Sequence, residues 1–439
     1  MKKLIILFLL LLASPVLADD RTDLQAEIDA LAPTGGVVYL EPRTYTLTQA
    51  PGQPYSLTLP GGVDLVGAGR EQTLLVQADG AGASQRLIYV AGRTRVADLS
   101  LFGNKAYQTV DEHRAGLFIL NSNGSVVERV DSYGFTGDGF TVYNNVYNLA
   151  FSEVAAYDNA RDGLAITPAG TGAVVSGVSV IGSRFYSNAG QQLDSEPGVT
   201  ALVSLVLVKD CYLDVGPSTQ YALTIAGSGT ATPTLSWLVK DNTINGTIET
   251  VWAERVDIVD NRGQNPTVSS SVFIYRTSKG VSVRGNDFFQ IAGGTSNGTV
   301  VLVSGTSGQQ PSNIQISDNR IRSAYFPGFG VRLSGVVDAE VSGNTISGVS
   351  TGIYARSTLP VKHVLITRNR VFGSTLGVSL GGLGGVVFQS ATVAENFIET
   401  GTGISADDNY HSLVNVVLLA NTCLGTPCLT NIPANARVF

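Results

Sequence analysis

The chain has 439 residues, of which 28 are Lys or Arg and 35 are Asp or Glu, for a net charge of −7. Charged residues make up 14%, against roughly 25% in an average domain, which excludes a coiled coil or long-helix protein. A hydrophobic share of 44% excludes disorder, and the acidic balance disfavours a nucleic-acid surface.

The first segment reads as a targeting signal. Met1-Lys2-Lys3 is a basic start, Leu4 to Ala13 is apolar, and Val16-Leu17-Ala18 is a small-residue cleavage site. The expected product is secreted or periplasmic, cut after Ala18. Removal of Lys2 and Lys3 takes the net charge to −9. No later apolar stretch is long enough to insert stably in a membrane. The expected organisation is a signal peptide at 1–18, a cap helix with the first strands at 19–62, and a repeat region at 63–439.

Residues 22–32 are the one good helix. Thr22-Asp23-Leu24-Gln25 has the pattern of a capping box. Leu24, Ile28 and Leu31 share one face. Strands follow at Gly35-Gly36-Val37-Val38-Tyr39-Leu40 and at Tyr45-Thr46-Leu47.

Further along, a short apolar-alternating run ends repeatedly in Asn: Asn242, Asn261, Asn286, Asn319, Asn344, Asn369, Asn396 and Asn421. Their spacings are 19, 25, 33, 25, 25, 27 and 25. A period of this size with short strands predicts a solenoid, here a parallel β-helix of about 13 or 14 coils stacked roughly 4.8 Å apart. Asn at one turn position can bond the Asn of the next coil. Extended backwards, the register places Cys211, Ser183, Val154, Val130 and Leu99 in the same ladder. Cys211 is therefore expected to be a buried ladder residue. Cys423 and Cys428 are joined by a turn-like Leu-Gly-Thr-Pro linker that lets them pair in an oxidising compartment.

The helix followed by Gly-Gly-Val-Val-Tyr-Leu-Glu-Pro-Arg-Thr-Tyr, and then Leu65-Val66-Gly67-Ala68-Gly69, resembles the pectin-lyase-like superfamily of right-handed parallel β-helix proteins. The resemblance covers essentially the whole mature chain. It implies an all-β solenoid with an N-terminal capping helix and activity on carbohydrate.

Aligned on the ladder, three successive coils share a pattern. Tyr133, Tyr157 and Tyr186 fall at one position, and Asp138, Asp162 and Gln191 at another. Asp194 and Glu196 fall in register with Thr141 and Tyr143. Any single Asp in such turns is more often a backbone-bonding turn residue than a catalyst. The convergence of four carboxylates on neighbouring coils predicts a site, with Asp138, Asp162, Asp194, Glu196 and Tyr133 catalytic. The polar insertion Lys105 to Arg114 is expected to reach the same groove. Lys105, His113, Arg114, Tyr143, Tyr157, Arg161, Gln191 and Gln192 are the expected substrate-binding residues. His363 and His411 read as surface residues.

Tyr133-Gly-Phe followed by Tyr157-Asp-Asn-Ala-Arg-Asp-Gly is similar to the catalytic region of the alginate C5-epimerases. That family has Tyr-Gly-Phe-Asp-Pro-His, then an Arg two coils on. Tyr133 matches; the Asp falls on Thr136, the His on Asp138 and the Arg near Gly190. Polygalacturonase signatures are absent.

The favoured expectation is a glycoside hydrolase, because paired carboxylates supply an acid and a base or nucleophile. The alternatives are a lyase or C5-epimerase acting on a uronate polymer, and a non-catalytic glycan-binding β-helix. The expected partner is a polysaccharide or oligosaccharide. No cofactor is required; Asp138 and Asp162 are the carboxylates that could ligate Ca²⁺.

Overall fold

The computed structural model describes residues 20–82, 85–216, 221–265, 270–291, 298–324, 328–382, 388–406, 413–424, 427–432 and 436–439. The signal segment at 1–18 and His411 lie outside the described residues. The chain winds into a parallel β-solenoid of about 13 turns with one helix at its N-terminal end.

Every strand pairing is parallel, coil onto coil. Three stacks of strands run the length of the solenoid. The first contains Tyr55–Pro60, Arg86–Ala91, Ala115–Leu120, Asp138–Val142, Leu164–Ile166 and Leu193–Ser195. The second contains Val146–Ser152, Val174–Ile181 and Leu202–Lys209. The third contains Ala155–Tyr157, Arg184–Tyr186 and Tyr212–Asp214. Inward residues are apolar and form one continuous core. Leu117, Phe140, Leu164 and Leu193 stack in register at 0% exposure.

The solenoid begins at Gly36, earlier than the expected residue 63. Gly36–Tyr39 pairs with Val63–Val66, and Tyr55–Pro60 pairs with Arg86–Ala91. The repeat is hidden there because the first coil has no ladder residue.

The helix spans Asp20–Leu31 and buries Leu24 and Ile28 against the first strands. The expected capping box does not form, because Thr22 already sits inside the helix. Gln25 instead donates to the Thr58 carbonyl (3.2 Å) and accepts from the Thr58 amide (2.9 Å). It thereby satisfies the open edge of the first coil.

The Asn ladder forms in full. From Asn242 to Asn421 each Nδ2 donates to the Oδ1 of the next Asn at 2.9–3.0 Å. Each backbone amide donates to the same oxygen at 2.8–3.1 Å. The residue before each rung is left-handed: Asp241 at φ 57°, Asp260 at 54°, Asp318 at 57°. Asp and Gly tolerate that region best, which explains the recurring Asp-Asn and Gly-Asn pairs. Cys211 is a rung, as expected: it is buried, its amide donates to Asn242 Oδ1 (2.8 Å), and burial pushes its thiol up to about 11. Cys423 and Cys428 form a disulfide. His363 is an exposed partner of Asp338.

Replacing Asn344 by Ala removes the acceptor of the Asn319 amide and side chain, and the donor to the Ile316 and Ser342 carbonyls and to Asn369 Oδ1. Chemical denaturation is expected to register a loss of about 3 kcal/mol. Gln315→Ala, on an exposed outward position, is expected to cost less than about 0.5 kcal/mol.

Candidate active site

The first stack carries an open groove of about 930 Å³. Along it runs a diagonal of four rings from four successive coils. Tyr55 stacks on Tyr89 (centroids 5.1 Å), Tyr89 on Phe118 (6.1 Å), and Phe118 on Tyr143 (5.4 Å). Arg86 lies over the Phe118 ring at 4.2 Å. The groove is also lined by Glu112, His113, Arg161 and Glu196.

The expected carboxylate column is present, but most of it is not exposed. Asp138, Asp162 and Asp194 are 2%, 1% and 5% exposed. Asp138 Oδ1 accepts from the Asp162 amide (3.2 Å), and Asp162 Oδ1 accepts from the Gln191 amide (2.7 Å). The corner between the third and first stacks leaves these amides without strand partners, so each carboxylate caps the coil above it. Asp138 also accepts from the Thr141 hydroxyl (3.0 Å). Asp138, Asp162 and Asp194 are therefore corrected from catalytic groups facing substrate to groups below the groove floor.

Arg161 is the centre of the cluster. It makes ion pairs with Asp138 (3.3 Å) and Asp162 (3.4 Å) from below and with Glu196 at the surface. Burial alone would lower its pKa; the charges of Asp138, Asp162 and Glu196 outweigh that and raise it. Burial, then the neighbouring Asp162 charge, pushes Asp138 up to about 7. Burial pushes Asp162 up to about 6 against the pull of Arg161. Burial, then the charges of Asp162 and Glu196, holds Asp194 well above the usual carboxylate range. The Asp194 column continues through Thr224 to Glu249, which burial pushes up to about 7.

The insertion divides. Glu112 and His113 reach the groove, with His113 Nε2 at 3.9 Å from Glu112. Arg114 does not: it is fully buried and donates to Gln108, Thr109 and the Ala81 carbonyl, stapling the insertion to the preceding coil. The loop crosses directly over Gly137, where a Cβ would stand 2.1 Å from the Arg114 carbonyl oxygen and 2.5 Å from that of Glu112. Lys105 is also diverted, its Nζ at 2.6 Å from the carboxylate and carbonyl of Asp158. Gln192 is fully buried and bonds Asn188, which continues a second short ladder with Asn159 (2.9 Å). Gln191 contributes its backbone amide, with a half-buried side chain.

Tyr133, Tyr157 and Tyr186 do stack, at 4.8 and 5.0 Å with nearly parallel rings. They stand on the third stack rather than in the groove. Burial raises all three phenols, and the charges acting on them include Asp131, Asp158 and Arg184 rather than the groove carboxylates. Among the described residues, no hydrogen bond links Tyr133 to the carboxylate cluster, which corrects the expected shared patch.

Sequence reasoning missed Arg86 and the rings of Tyr55, Tyr89 and Phe118. The signal was the register: Thr141 aligns with Phe118, and Phe118 with Tyr89. Arg86 Nε is buried without a hydrogen-bond partner, and burial lowers the guanidinium's pKa. It is a desolvated cation facing a groove. Among the described residues, no cluster of three or more His, Cys, Asp or Glu side chains has the geometry to hold a metal. Asp138 and Asp162, the carboxylates that could ligate Ca²⁺, are engaged by Arg161 and backbone amides.

Residues 219–417 match the family described as periplasmic copper-binding protein (NosD). Mannuronan C5-epimerase AlgE6 of Azotobacter vinelandii is 34% identical over 164 residues, which is 33% of this chain and 18% of that protein. Mannuronan C5-epimerase AlgE4 of the same organism is 33% identical over 166 residues, 33% of this chain and 29% of that protein. The match thus spans less than a third of the length of these relatives. Among solved structures, the A-module of AlgE4 is 17% identical with a TM-score of 0.47, over 96% of each chain. The chain is a parallel β-helix, and about a third of it is similar to mannuronan C5-epimerases.

The raised carboxylates give a testable pH dependence. The folded state holds the Asp138 proton more tightly than the unfolded chain, whose Asp titrates near 3.9. The stability that Asp138 contributes is therefore fully present below about pH 4 and is lost as pH rises through about 7. Asp138→Asn is expected to flatten the decline, by an amount on the order of a few kcal/mol, in denaturation midpoints measured from pH 4 to 7.

Proposed function

We propose that this protein is an exported enzyme that acts on a uronate-containing polysaccharide in the first-stack groove, by proton transfer at C5 of the sugar. The observation that carries this reading is Arg86, a desolvated guanidinium without an ion-pair partner among the described residues, in a groove lined by aromatic rings and proton-transfer groups. Similarity to mannuronan C5-epimerases over a third of the chain supports the same substrate class.

The chemistry follows from charge. A uronate carboxylate beside Arg86 is neutralised, which makes the adjacent C5 proton more acidic. Arg161 also lines the groove, held in position by its buried carboxylate partners. His113 and Tyr143 line the groove and are the groups assigned to take and return the proton. Return to the opposite face of the carbanion gives the C5 epimer. Loss of the C4 substituent instead gives an unsaturated sugar. The ring diagonal offers apolar faces on which successive sugars stack.

Hydrolysis is the second reading. Asp138, Asp162 and Asp194, on which the sequence expectation rested, lie buried below the groove floor. Glu112 and Glu196 nevertheless both line the groove, and two carboxylates are the minimum that hydrolysis requires.

Incubation with polyuronates of different composition separates the readings. Epimerisation is expected to change the sugar signals in proton NMR, elimination to create ultraviolet absorbance, and hydrolysis to release reducing ends alone. Absence of all three across the panel, with binding retained, would leave a glycan-binding protein. Arg86→Ala is expected to lower kcat/KM by about 100- to 1,000-fold, as for other electrostatic contacts to a developing charge, with an unchanged melting temperature. His113→Ala and Tyr143→Phe are expected to lower kcat more than they raise KM in the same assay.

A further inference from the structure

The third stack carries a second surface that the groove does not use. Its outward column runs in register Thr243, Arg262, Asp287, Arg320, Thr345, Arg370, Phe397. Arg262, Arg320 and Arg370 occupy alternate coils, so their guanidinium groups recur at intervals of about 9.6 Å. All three are exposed. The neighbouring column reads Gln264, Phe289, Arg322, Ser347, Phe372, Glu399.

Cations and rings are interleaved on this face. Arg322 lies over Phe289 at 5.1 Å, and Arg370 lies 5.7 Å from the Phe372 ring and 5.5 Å from that of Phe397. Asp287 pairs with Arg322 (2.7 Å) and, more loosely, with Arg320 (3.8 Å). Among the described residues, the Arg262 side chain donates to the Thr243 hydroxyl, at 3.3 Å. Four arginines therefore stand against two carboxylates here, on a chain of net charge −7. A shallow groove of about 560 Å³ opens between Arg262, Phe289 and Arg322.

We propose that this face is a docking track for one strand of a polyuronide lying along the solenoid axis. Charge complementarity selects a polyanion. Spacing selects its geometry: an extended 1,4-linked polyuronide presents carboxylates to one side at every second sugar, an interval close to two coils. Phe289, Phe372 and Phe397 offer apolar platforms for the intervening rings. The guanidinium fork binds a carboxylate through two parallel hydrogen bonds, which an ammonium cannot do. The track holds polymer to the enzyme and feeds nothing directly to Arg86, because it faces away on a different stack. The inference rests on a uronate polymer as the substrate class, and not on the chemistry assigned to the first-stack groove.

The test compares wild type, Arg86→Ala, and the triple variant Arg262→Ala/Arg320→Ala/Arg370→Ala by affinity electrophoresis and calorimetric titration. The probes are a polyuronate, a neutral 1,4-linked glucan, and single-stranded DNA as a polyanion of different shape. The triple variant is expected to lose about tenfold or more in polyuronate affinity, to lose part of the salt dependence, and to keep its turnover of short oligouronides. Arg86→Ala is expected to keep polymer binding while losing turnover. Unchanged polyuronate affinity in a folded triple variant would overturn the track. So would equal affinity of the wild type for single-stranded DNA or for the neutral glucan. Retained turnover in Arg86→Ala alongside lost binding in the triple variant would sink the catalytic reading and leave the track standing.

Discussion

The fold depends on satisfying the backbone amides at its corners. Each coil turns through a left-handed residue, and the amide that follows points along the solenoid axis with no strand opposite it. A buried amide left alone would cost about 1–3 kcal/mol per coil. The side chain of the next coil supplies the acceptor, and Asn does this while donating onward through its own amide. Repeated from Asn242 to Asn421, the arrangement fixes coil height and register together. A fixed register places outward residues in columns, and columns are what give this molecule its surfaces.

The same constraint builds the candidate site. At the corner entering the first stack, Asp138 and Asp162 replace Asn as acceptors for the amides of the coil above. Asp cannot donate onward as Asn does, so negative charge accumulates inside the corner. Arg161 answers that charge from the solvent side and is held by three carboxylates. A structural device for capping amides thereby becomes an electrostatic device beneath a groove. Of the groups to which the proposed chemistry is assigned, Arg86 comes from an earlier coil, His113 from the insertion and Tyr143 from the end of the strand that Asp138 opens.

The first and third stacks present different surfaces because the corners of each coil turn their strands in different directions. The first stack presents rings, a desolvated cation and proton-transfer groups within a concavity. The third stack presents arginines and phenylalanines on a more open surface. Neither face disturbs the core: Ile321, Ile346, Val371 and Ile398 on the third stack, and Leu87, Leu117 and Phe140 on the first, are inward at 0–1% exposure. The solenoid can therefore vary one face without altering the other, which is a consequence of its quasi-one-dimensional stability.

The architecture was legible in the sequence because the ladder is periodic. Spacings near 25 residues identified the coils, and the Asn position gave Cys211 and Ser183 their places as rungs without any structural help. The register also aligned Asp138 with Asp162, and Asp194 with Thr141, correctly. What the sequence could not supply was depth and direction. Asp138, Asp162 and Asp194 looked like a surface cluster, yet the corner turns them inward to bond amides. Arg114 and Lys105 looked like groove residues, yet each is consumed in pinning the insertion. Tyr133 shares a short segment with Asp138 but stands on another stack, because the chain bends between them. Arg86 carried no local signature at all. A one-dimensional repeat determines which residues share a coil position. Only the three-dimensional path of the corner decides which of them face solvent, because the turn there directs some side chains inward to cap amides and others out to the groove.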